Sequence, residues 1–188
     1  FAPGPIRAGP PPEIAGAQGS PLPPGRAEAL WAGLPAPLQR HLAFAQAVTG
    51  QPLYAGNQAQ LLVDGPAALT AMVQAMGAAR RHIHLEVFVF ADDPVGREVA
   101  DLLLRKQAEG VQVRLLYDSL GSEKTPRRFF QRLAAGGIAV AAFNPMAGGL
   151  LAYRHRDHRK ILVVDGQVAY TGGINISAAY TLSSEAYR

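Results

Sequence analysis

The sequence contains no cysteine and no long hydrophobic run. The absence of cysteine excludes disulfide bonds, thiolate nucleophiles and cysteine-ligated zinc. The longest apolar stretch, residues 133–143, is short and interrupted by glycines, so no transmembrane helix is predicted. Because the chain begins with Phe1 rather than Met, we expect that a preceding segment, such as a signal peptide or a membrane anchor, was removed or left out.

The excess of positive over negative charge is also small. Eighteen basic and 14 acidic residues give a net charge of +4, and 48% of the residues are hydrophobic. A chain of 188 residues with this composition can form one full globular domain with a core. The charge is compatible with anionic ligands such as phospholipid headgroups or nucleic acid, but it selects neither.

Proline is abundant only at the N-terminus, where ten of the fifteen prolines precede residue 38. Such a composition cannot form a packed core and predicts a mobile, proline-rich arm over residues 1–37. We favour an arm or linker over a ligand for a proline-recognition domain. The remaining residues, 38–188, are predicted to form the folded domain.

Hydrophobic periodicity in this domain alternates between helices and strands. Such alternation predicts an α/β layered sandwich with a mostly parallel, mixed sheet flanked by helices. Helices are predicted at residues 37–48, 66–76, 95–109 and 126–135, and strands at 60–63, 82–90, 111–117, 138–143, 160–164 and 167–171.

The strand predicted at residues 82–90 alternates in a way that separates two faces. For Glu86 we favour a buried carboxylate paired with a backbone or basic partner over a place near a ligand pocket. The two predicted faces carry Ile83, Leu85, Val87 and Val89 on one side and His82, His84, Glu86, Phe88 and Phe90 on the other.

The most informative segment lies near the C-terminus and contains His158, Lys160, Asp165 and Asn175, with Gly172-Gly173 before the asparagine. In an extended strand, residues i and i+2 point to the same face, so His158 and Lys160 are predicted to project side by side. A nucleophile next to a fixed positive charge suits displacement at a phosphodiester, because the transferred group keeps its negative charge.

Each of these residues also has an interpretation without catalysis. Asp165-Gly166 between two apolar strands indicates a hairpin turn, which backbone geometry alone explains. Gly172-Gly173 is typical of a turn with positive φ, and His158 and Lys160 are compatible with a solvated strand face. The joint spacing around one predicted strand and hairpin favours a functional site.

The pattern His158-x-Lys160-x4-Asp165-x6-Gly172-Gly173 resembles the signature of the phospholipase D superfamily. The flanking residues 156–160 and 169–177 are similar to its bacterial cardiolipin synthase branch, and the similarity covers about residues 53–180. Upstream segments that share it are Gly56-Asn57, Leu62-Val63-Asp64-Gly65, Ile83-His84-Leu85-Glu86, residues 110–114 and Phe143-Asn144-Pro145.

The resemblance implies a mechanism. His158 would attack phosphorus and form a phosphohistidine, and Lys160 would hold the nonbridging oxygens. Asn175, with Gly172 and Gly173, would bind the substrate phosphate, and Asp165 would support the site through charge or turn geometry. No cofactor and no metal are implied, because lysine and histidine supply the electrophilic role. The histidine pairs His82/His84 and His155/His158 lack a matching carboxylate cluster, so we do not predict a metal site there.

Members of the family place two such motifs face to face, and the second histidine protonates the leaving alcohol. This sequence contains one motif, so the resemblance implies that a second catalytic half or a homodimer partner is needed. We expect the chain to be a truncated first half, because only Glu185 follows the motif as a carboxylate that could orient His158.

The function that the resemblance implies is phosphatidyl transfer between phospholipids, with phosphatidylglycerol-like substrates. It also implies peripheral contact with the bacterial cytoplasmic membrane. Alternatives are phospholipid hydrolysis, a single-motif homodimeric nuclease and a catalytically silent module. Nucleic acid is the less favoured substrate, because a net charge of +4 is low for a nucleic-acid enzyme. At the basic cluster Lys124, Arg127 and Arg128, we favour a solvated helix end over a headgroup site.

Overall fold

The structure is a computed structural model, and it describes residues 31–50, 58–145 and 156–182. The chain divides into two compact units, residues 1–60 and 61–188. Most of the predicted arm, residues 1–30, lies outside the described residues, as do Gly56-Asn57, His155 and Glu185.

The first unit contains one described helix, α1 (Ala36–Thr49), at the position predicted from the sequence. Pro37 lies in its first turn, where a missing N–H has no cost. The helix ends at Gly50, which has a φ of 66° and donates its N–H to Gln46 O over 2.8 Å. None of the side chains of α1 is buried within the described residues.

The second unit alternates helices and strands, which confirms the predicted α/β class. Asp64 caps its first helix by accepting a hydrogen bond from Gly65 N. The elements are α2 (Gly65–Ala78), β1 (His82–Val87), α3 (Pro94–Ala108), β2 (Gln112–Asp118), α4 (Arg127–Ala135), β3 (Ala139–Phe143), β4 (Ile161–Val164), β5 (Val168–Thr171) and a 3₁₀ turn at Ala178–Tyr180.

The five strands form one mixed sheet in the order β3-β2-β1-β4-β5. β2 runs parallel to β1 and to β3, whereas β4 is antiparallel to both of its neighbours. Four strands therefore share one direction, as the predicted mostly parallel sheet requires. The C-terminal ends of β1, β2, β3 and β5 lie at the same edge as the start of β4, and we call this the carboxyl edge.

The core lies between one face of the sheet and the helices α2, α3 and α4. Met76, Leu103 and Leu133 from the helices pack in one cluster with Ile83 and Leu85 of β1, and each of the five is at most 2% exposed. Burying each such side chain contributes about 1.5–3 kcal/mol. None of the helices within the described ranges combines the length and hydropathy needed to cross a membrane.

The prediction of a strand at residues 60–63 is wrong. Residues 58–63 have no regular structure, and the side chains of Leu61 and Val63 are 85% and 67% exposed. This short apolar run has no core to cover here, because Asp64, with a φ of 91°, turns the chain directly into α2.

The predicted alternation of residues 82–90 fails beyond Val87, where β1 ends. Phe90 was expected on the face of His84 and Glu86, but it is fully buried in the core. Its ring packs edge-on against Phe129 and Phe130 of α4, with centroids 5.4 and 6.3 Å away. Packing by α4 therefore overrides the period of two.

Two glycines, one in α3 and one in α2, provide a matched test of the packing at the start of α3. A Cβ at Gly96, in the first turn of α3, would collide with the carbonyl oxygen of Ala91, whereas a Cβ at Gly77 in α2 would meet no atom within 4 Å. We expect Gly96→Ala to lower the free energy of unfolding by about 1–3 kcal/mol through overpacking. Gly77→Ala should raise it by about 0.5–1 kcal/mol, because alanine favours the helix. Urea denaturation measures both, and equal effects of the two substitutions would contradict the described start of α3.

Candidate active site

The carboxyl edge of the sheet collects most of the polar residues that the sequence singled out. β1 continues there into Phe88, and β2 ends at Asp118. The segment of residues 156–160 enters β4 at the same edge. β5 leaves this edge through Gly172, because Thr171 pairs with Ile161. Ligand sites in open α/β sheets commonly form outside the C-terminal ends of parallel strands.

His158 and Lys160 meet at the aromatic ring of Phe88. The imidazole of His158 lies against this ring with centroids 4.6 Å apart, and Lys160 Nζ lies 5.0 Å from the ring centroid. The ring therefore contacts both groups. Residues 156–160 precede β4 and do not form part of it. His158 is exposed, and its imidazole donates no hydrogen bond to any residue of the described ranges.

Lys160 is buried, with only 6% of its surface exposed. Its Nζ donates a hydrogen bond to the carbonyl oxygen of His158 over 2.7 Å. Burial lowers the pKa of Lys160, and the charges of Asp157 and Asp118 oppose that change. The ammonium is thus fixed next to the residue that carries the imidazole, with little freedom to swing away.

Asp118 anchors the segment that carries His158. This carboxylate is fully buried, and its Oδ2 accepts a hydrogen bond from Asp157 N over 2.9 Å. Its Oδ1 accepts hydrogen bonds from Leu120 N and Gly121 N, and Arg156 Nη1 lies 3.3 Å from the same oxygen. The end of β2 and the start of the histidine segment are therefore joined through one side chain.

A second set of charged groups lies beside this anchor. Arg159 Nε is 2.9 Å from Asp157 Oδ1 and 2.9 Å from Glu86 Oε1. Glu86 therefore has the predicted basic partner, but it is only partly buried, with 22% of its side chain exposed. Burial and the neighbouring Asp157 raise the pKa of Glu86 to about 7. Burial alone would raise the pKa of Asp157, but hydrogen bonds from Glu86 and Arg159 keep it below its usual range.

Asn175 is buried and joins two backbone segments at the same edge. Its Oδ1 accepts a hydrogen bond from Val89 N over 3.0 Å, and its Nδ2 donates to the hydroxyl of Tyr180 over 2.6 Å. Gly172 and Gly173 are exposed, and a Cβ at either position would meet no atom within 4 Å. With a φ of 154°, Gly172 needs to be glycine, and the pair leaves open space where β5 ends.

Asp165 lies at the opposite edge of the sheet from Lys160. Its carboxylate accepts hydrogen bonds from the backbone N–H groups of Arg80, Arg81 and His82 over 2.8–2.9 Å. Asp165 follows Lys160 by five positions, with the four residues of β4 between them, which corresponds to about 16 Å. Asp165 therefore supports the hairpin turn and the entry to β1, and not the groups at the carboxyl edge.

A cavity of about 620 Å³ opens on the sheet face that the helices leave uncovered within the described residues. Polar side chains at His84, Glu86 and Arg114 line it together with Leu116 and Ile161. Glu86 thus lines this cavity and also lies beside Arg159, which bonds to Asp157. No group of three or more histidine, aspartate or glutamate side chains in the described ranges could hold a metal ion.

A family model described as "Cardiolipin synthase, PLD-like domain" matches residues 72–186, which is more than half of the chain and includes the whole site. The chain belongs to this family. The match confirms the resemblance to the phospholipase D superfamily that the His158 and Lys160 motif predicted.

Similar curated proteins carry the same name. Cardiolipin synthase A from Pseudomonas aeruginosa is 39% identical over 135 residues, which are 71% of this chain and 28% of that protein. Cardiolipin synthase 1 from Bacillus anthracis is 37% identical over 133 residues, covering 70% of this chain and 26% of that protein. The chain therefore spans about a quarter of the length of these relatives.

Among solved structures, NucT from Helicobacter pylori has a TM-score of 0.48 and 15% sequence identity. The alignment covers 62% of this chain and 72% of NucT.

Sequence reasoning missed the groups that hold the site together. The sequence predicts Phe88 only as part of a strand face, and it predicts no role for Asp118, which directly follows the strand predicted at residues 111–117. A buried polar residue at the end of a parallel strand is the signal that could have found Asp118. Asp157 and Arg159 were noted only as flanking residues, since their contacts with Glu86 depend on the pairing of β1 with β4.

A substitution at Asp165 tests whether the hairpin turn acts separately from the groups at the carboxyl edge. Asp165→Asn keeps a residue that tolerates the φ of 56° but removes a charged acceptor of three N–H groups. We expect the free energy of unfolding to fall by about 1–3 kcal/mol. The imidazole signals of His158 in NMR spectra should keep their wild-type positions. A perturbed His158 with unchanged stability would place Asp165 in the active site instead.

Proposed function

We propose that this chain contributes one catalytic half to phosphatidyl transfer between phospholipids, as in cardiolipin synthesis, through a phosphohistidine at His158. The observation that carries the proposal is the convergence of the exposed imidazole and the buried Lys160 ammonium on Phe88. Membership of the family and the names of the relatives support this choice of substrate.

In the first step, a ring nitrogen of His158 attacks the phosphorus of a phosphatidylglycerol-like lipid. A P–N bond forms, the P–O bond to the headgroup glycerol breaks, and the glycerol oxygen takes a proton from a general acid. In the second step, a hydroxyl of a second lipid attacks phosphorus, the P–N bond breaks and the hydroxyl proton passes to a base. The two steps together yield cardiolipin and free glycerol, and each barrier is lower than that of a direct displacement.

The other residues act on the charge of the phosphoryl group. Lys160 stabilises the nonbridging oxygens with its positive charge. Its burial and its hydrogen bond to His158 O fix the ammonium in place. The open space at Gly172 and Gly173 lets the phosphate approach the backbone. Asn175 holds this turn against Val89 through its carbonyl oxygen. One N–H of its amide is donated to the Tyr180 hydroxyl, and the second would donate to a nonbridging oxygen.

The reaction requires a general acid for the leaving glycerol. We infer that a second His-x-Lys motif, from another half or from a second copy of the chain, faces His158 and protonates the leaving glycerol. The sequence has one such motif. Because the substrates are lipids, we further infer that the site works at the surface of a bacterial cytoplasmic membrane.

An activated substrate tests the nucleophile without the second motif. Phosphatidyl-p-nitrophenol has a leaving group that departs as an anion and needs no general acid. We expect the chain in mixed micelles to release p-nitrophenol in a burst of at most one equivalent, with an acid-labile phosphatidyl adduct on His158 in the mass spectrum. His158→Ala should form no adduct, whereas substitution of His41, an exposed histidine of the first unit, by alanine should have no effect. A burst that survives in His158→Ala would exclude the proposed intermediate.

Acceptors added to the adduct distinguish the possible products. Phosphatidylglycerol should convert it to cardiolipin, and phosphatidic acid as the only product would indicate hydrolysis instead of transfer. A p-nitrophenyl ester of a nucleotide serves as the comparison substrate. Faster adduct formation with this nucleotide than with the lipid would favour the nuclease alternative.

Lys160 provides a second prediction. Lys160→Met keeps a side chain of similar length that suits the buried position but removes the charge. We expect adduct formation to slow by about 10²–10³-fold, the usual effect of losing one donor to a developing oxyanion. Arg105→Met, which removes an exposed charge in the last turn of α3, next to the start of β2 at the opposite edge of the sheet, is the control. Equal rates for both variants and the wild type would remove Lys160 from the chemistry.

A further inference from the structure

Asp93, at the start of α3, binds two separate segments of the chain. It is the N-cap of the helix, where its Oδ1 accepts a hydrogen bond from Gly96 N over 2.9 Å. Its Oδ2 accepts hydrogen bonds from Ser177 Oγ over 2.8 Å and from Ala178 N over 2.7 Å. A helix cap needs one side-chain oxygen, so the second oxygen is available to hold residues 175–180, which we call the Asn175 turn.

The Asn175 turn also pairs with the residues that follow β1. Ile176 N donates a hydrogen bond to Val89 O over 3.2 Å, and Ala91 N donates to Ile176 O over 3.0 Å. The side chain of Ile176 is fully buried in the core. The turn is therefore joined to the chain after β1 by backbone hydrogen bonds at its start and by the Asp93 side chain further along.

The side-chain amide of Asn175 is oriented by two hydrogen bonds. Its Oδ1 accepts from Val89 N over 3.0 Å, and its Nδ2 donates to the hydroxyl of Tyr180 over 2.6 Å. Tyr180 N in turn donates to Ser177 O over 3.1 Å, so the place of the hydroxyl depends on the part of the turn that Asp93 holds. Because Oδ1 and one N–H of the amide have partners in the protein, the direction of the second N–H is determined.

We propose that Asp93 is a positioning residue of the active site, which holds the Asn175 turn so that the second amide N–H of Asn175 is directed to the substrate phosphate. The inference rests on the proposed function, in which Asn175 binds that phosphate. Without the contacts of Asp93 Oδ2, the turn keeps its pairing with the residues after β1, but the contact that fixes Tyr180 is lost and the amide is free to rotate. A residue that only capped α3 would not affect Asn175.

The substitution Asp93→Ser separates the two roles of this residue. Serine is about as good an N-cap as aspartate, and its single oxygen can accept the hydrogen bond from Gly96 N. The same oxygen does not replace the second carboxylate oxygen, so Ser177 Oγ and Ala178 N lose their acceptor. The start of α3 is therefore retained in this variant, while the Asn175 turn is released.

The kinetic test measures adduct formation on His158 from phosphatidyl-p-nitrophenol at saturating lipid. Asp93→Ser should slow it by about tenfold, because a displaced donor stabilises the developing charge less well. In an Asn175→Ala background, Asp93→Ser should have no further effect, since it acts through that amide. Asp92→Asn, which removes the neighbouring carboxylate that pairs with Arg97, should match the wild type. Equal slowing by Asp93→Ser in both backgrounds, or no slowing in the wild-type background, would overturn the proposal.

A second readout does not depend on the proposed function, on which the kinetic test rests. In ¹⁵N NMR spectra of Asp93→Ser, the side-chain amide signals of Asn175 should shift and the backbone amide of Ala178 should lose its protection from hydrogen exchange. Asp92→Asn should leave both unchanged. If the wild-type chain forms no adduct but these changes appear, the proposed function fails and the positioning contact stands. If the Asn175 side-chain signals of Asp93→Ser keep their wild-type positions, the positioning contact fails.

Discussion

The hydrogen bond between the buried carboxylate of Asp118 and the backbone N–H of Asp157 joins the sheet to the segment that carries His158. A buried charge is costly unless its oxygens are satisfied, and here Leu120 N, Gly121 N and Arg156 supply the remaining donors. The same interactions therefore make the charge tolerable and fix the path of the chain before β4. Removing any partner would leave this carboxylate incompletely compensated, so the position of the segment and the stability of the strand end are linked.

The geometry of the site follows from this anchor. With Asp157 fixed, the next residue presents its imidazole to solvent, and Lys160 turns back to donate to the carbonyl oxygen of His158. Phe88 gives both groups a common surface at the end of β1. The imidazole is exposed to solvent and the ammonium beside it is buried, and the edge of the sheet provides both environments. The hairpin turn at Asp165 lies at the other edge, where it maintains the pairing of β4 with β1 without entering the site.

Much of the fold could be predicted from the sequence because each strand and helix has a local signal. Asp165-Gly166 predicts the hairpin, and Pro94 and Pro126 mark where α3 and α4 start. The prediction of a strand at residues 60–63 is wrong because a run of apolar residues is a local signal, whereas a strand needs a partner. Phe90 was placed on the wrong face for a related reason, since α4 provides a pocket that periodicity does not reveal. Within the site, the motif identified His158 and Lys160, but contacts between distant segments, such as Glu86 with Arg159, depend on sheet register.

The exchange of the Asp157 backbone amide with deuterium tests the central claim most directly. Residues 156–160 form no strand, so without the anchor this amide would exchange at the rate of an exposed loop. Our account predicts that it is protected as strongly as the amides of Leu85 and Leu115 in the centre of the sheet, and that Asp118→Asn abolishes this protection while those two amides remain slow. Rapid exchange of Asp157 in the wild-type chain would contradict the account.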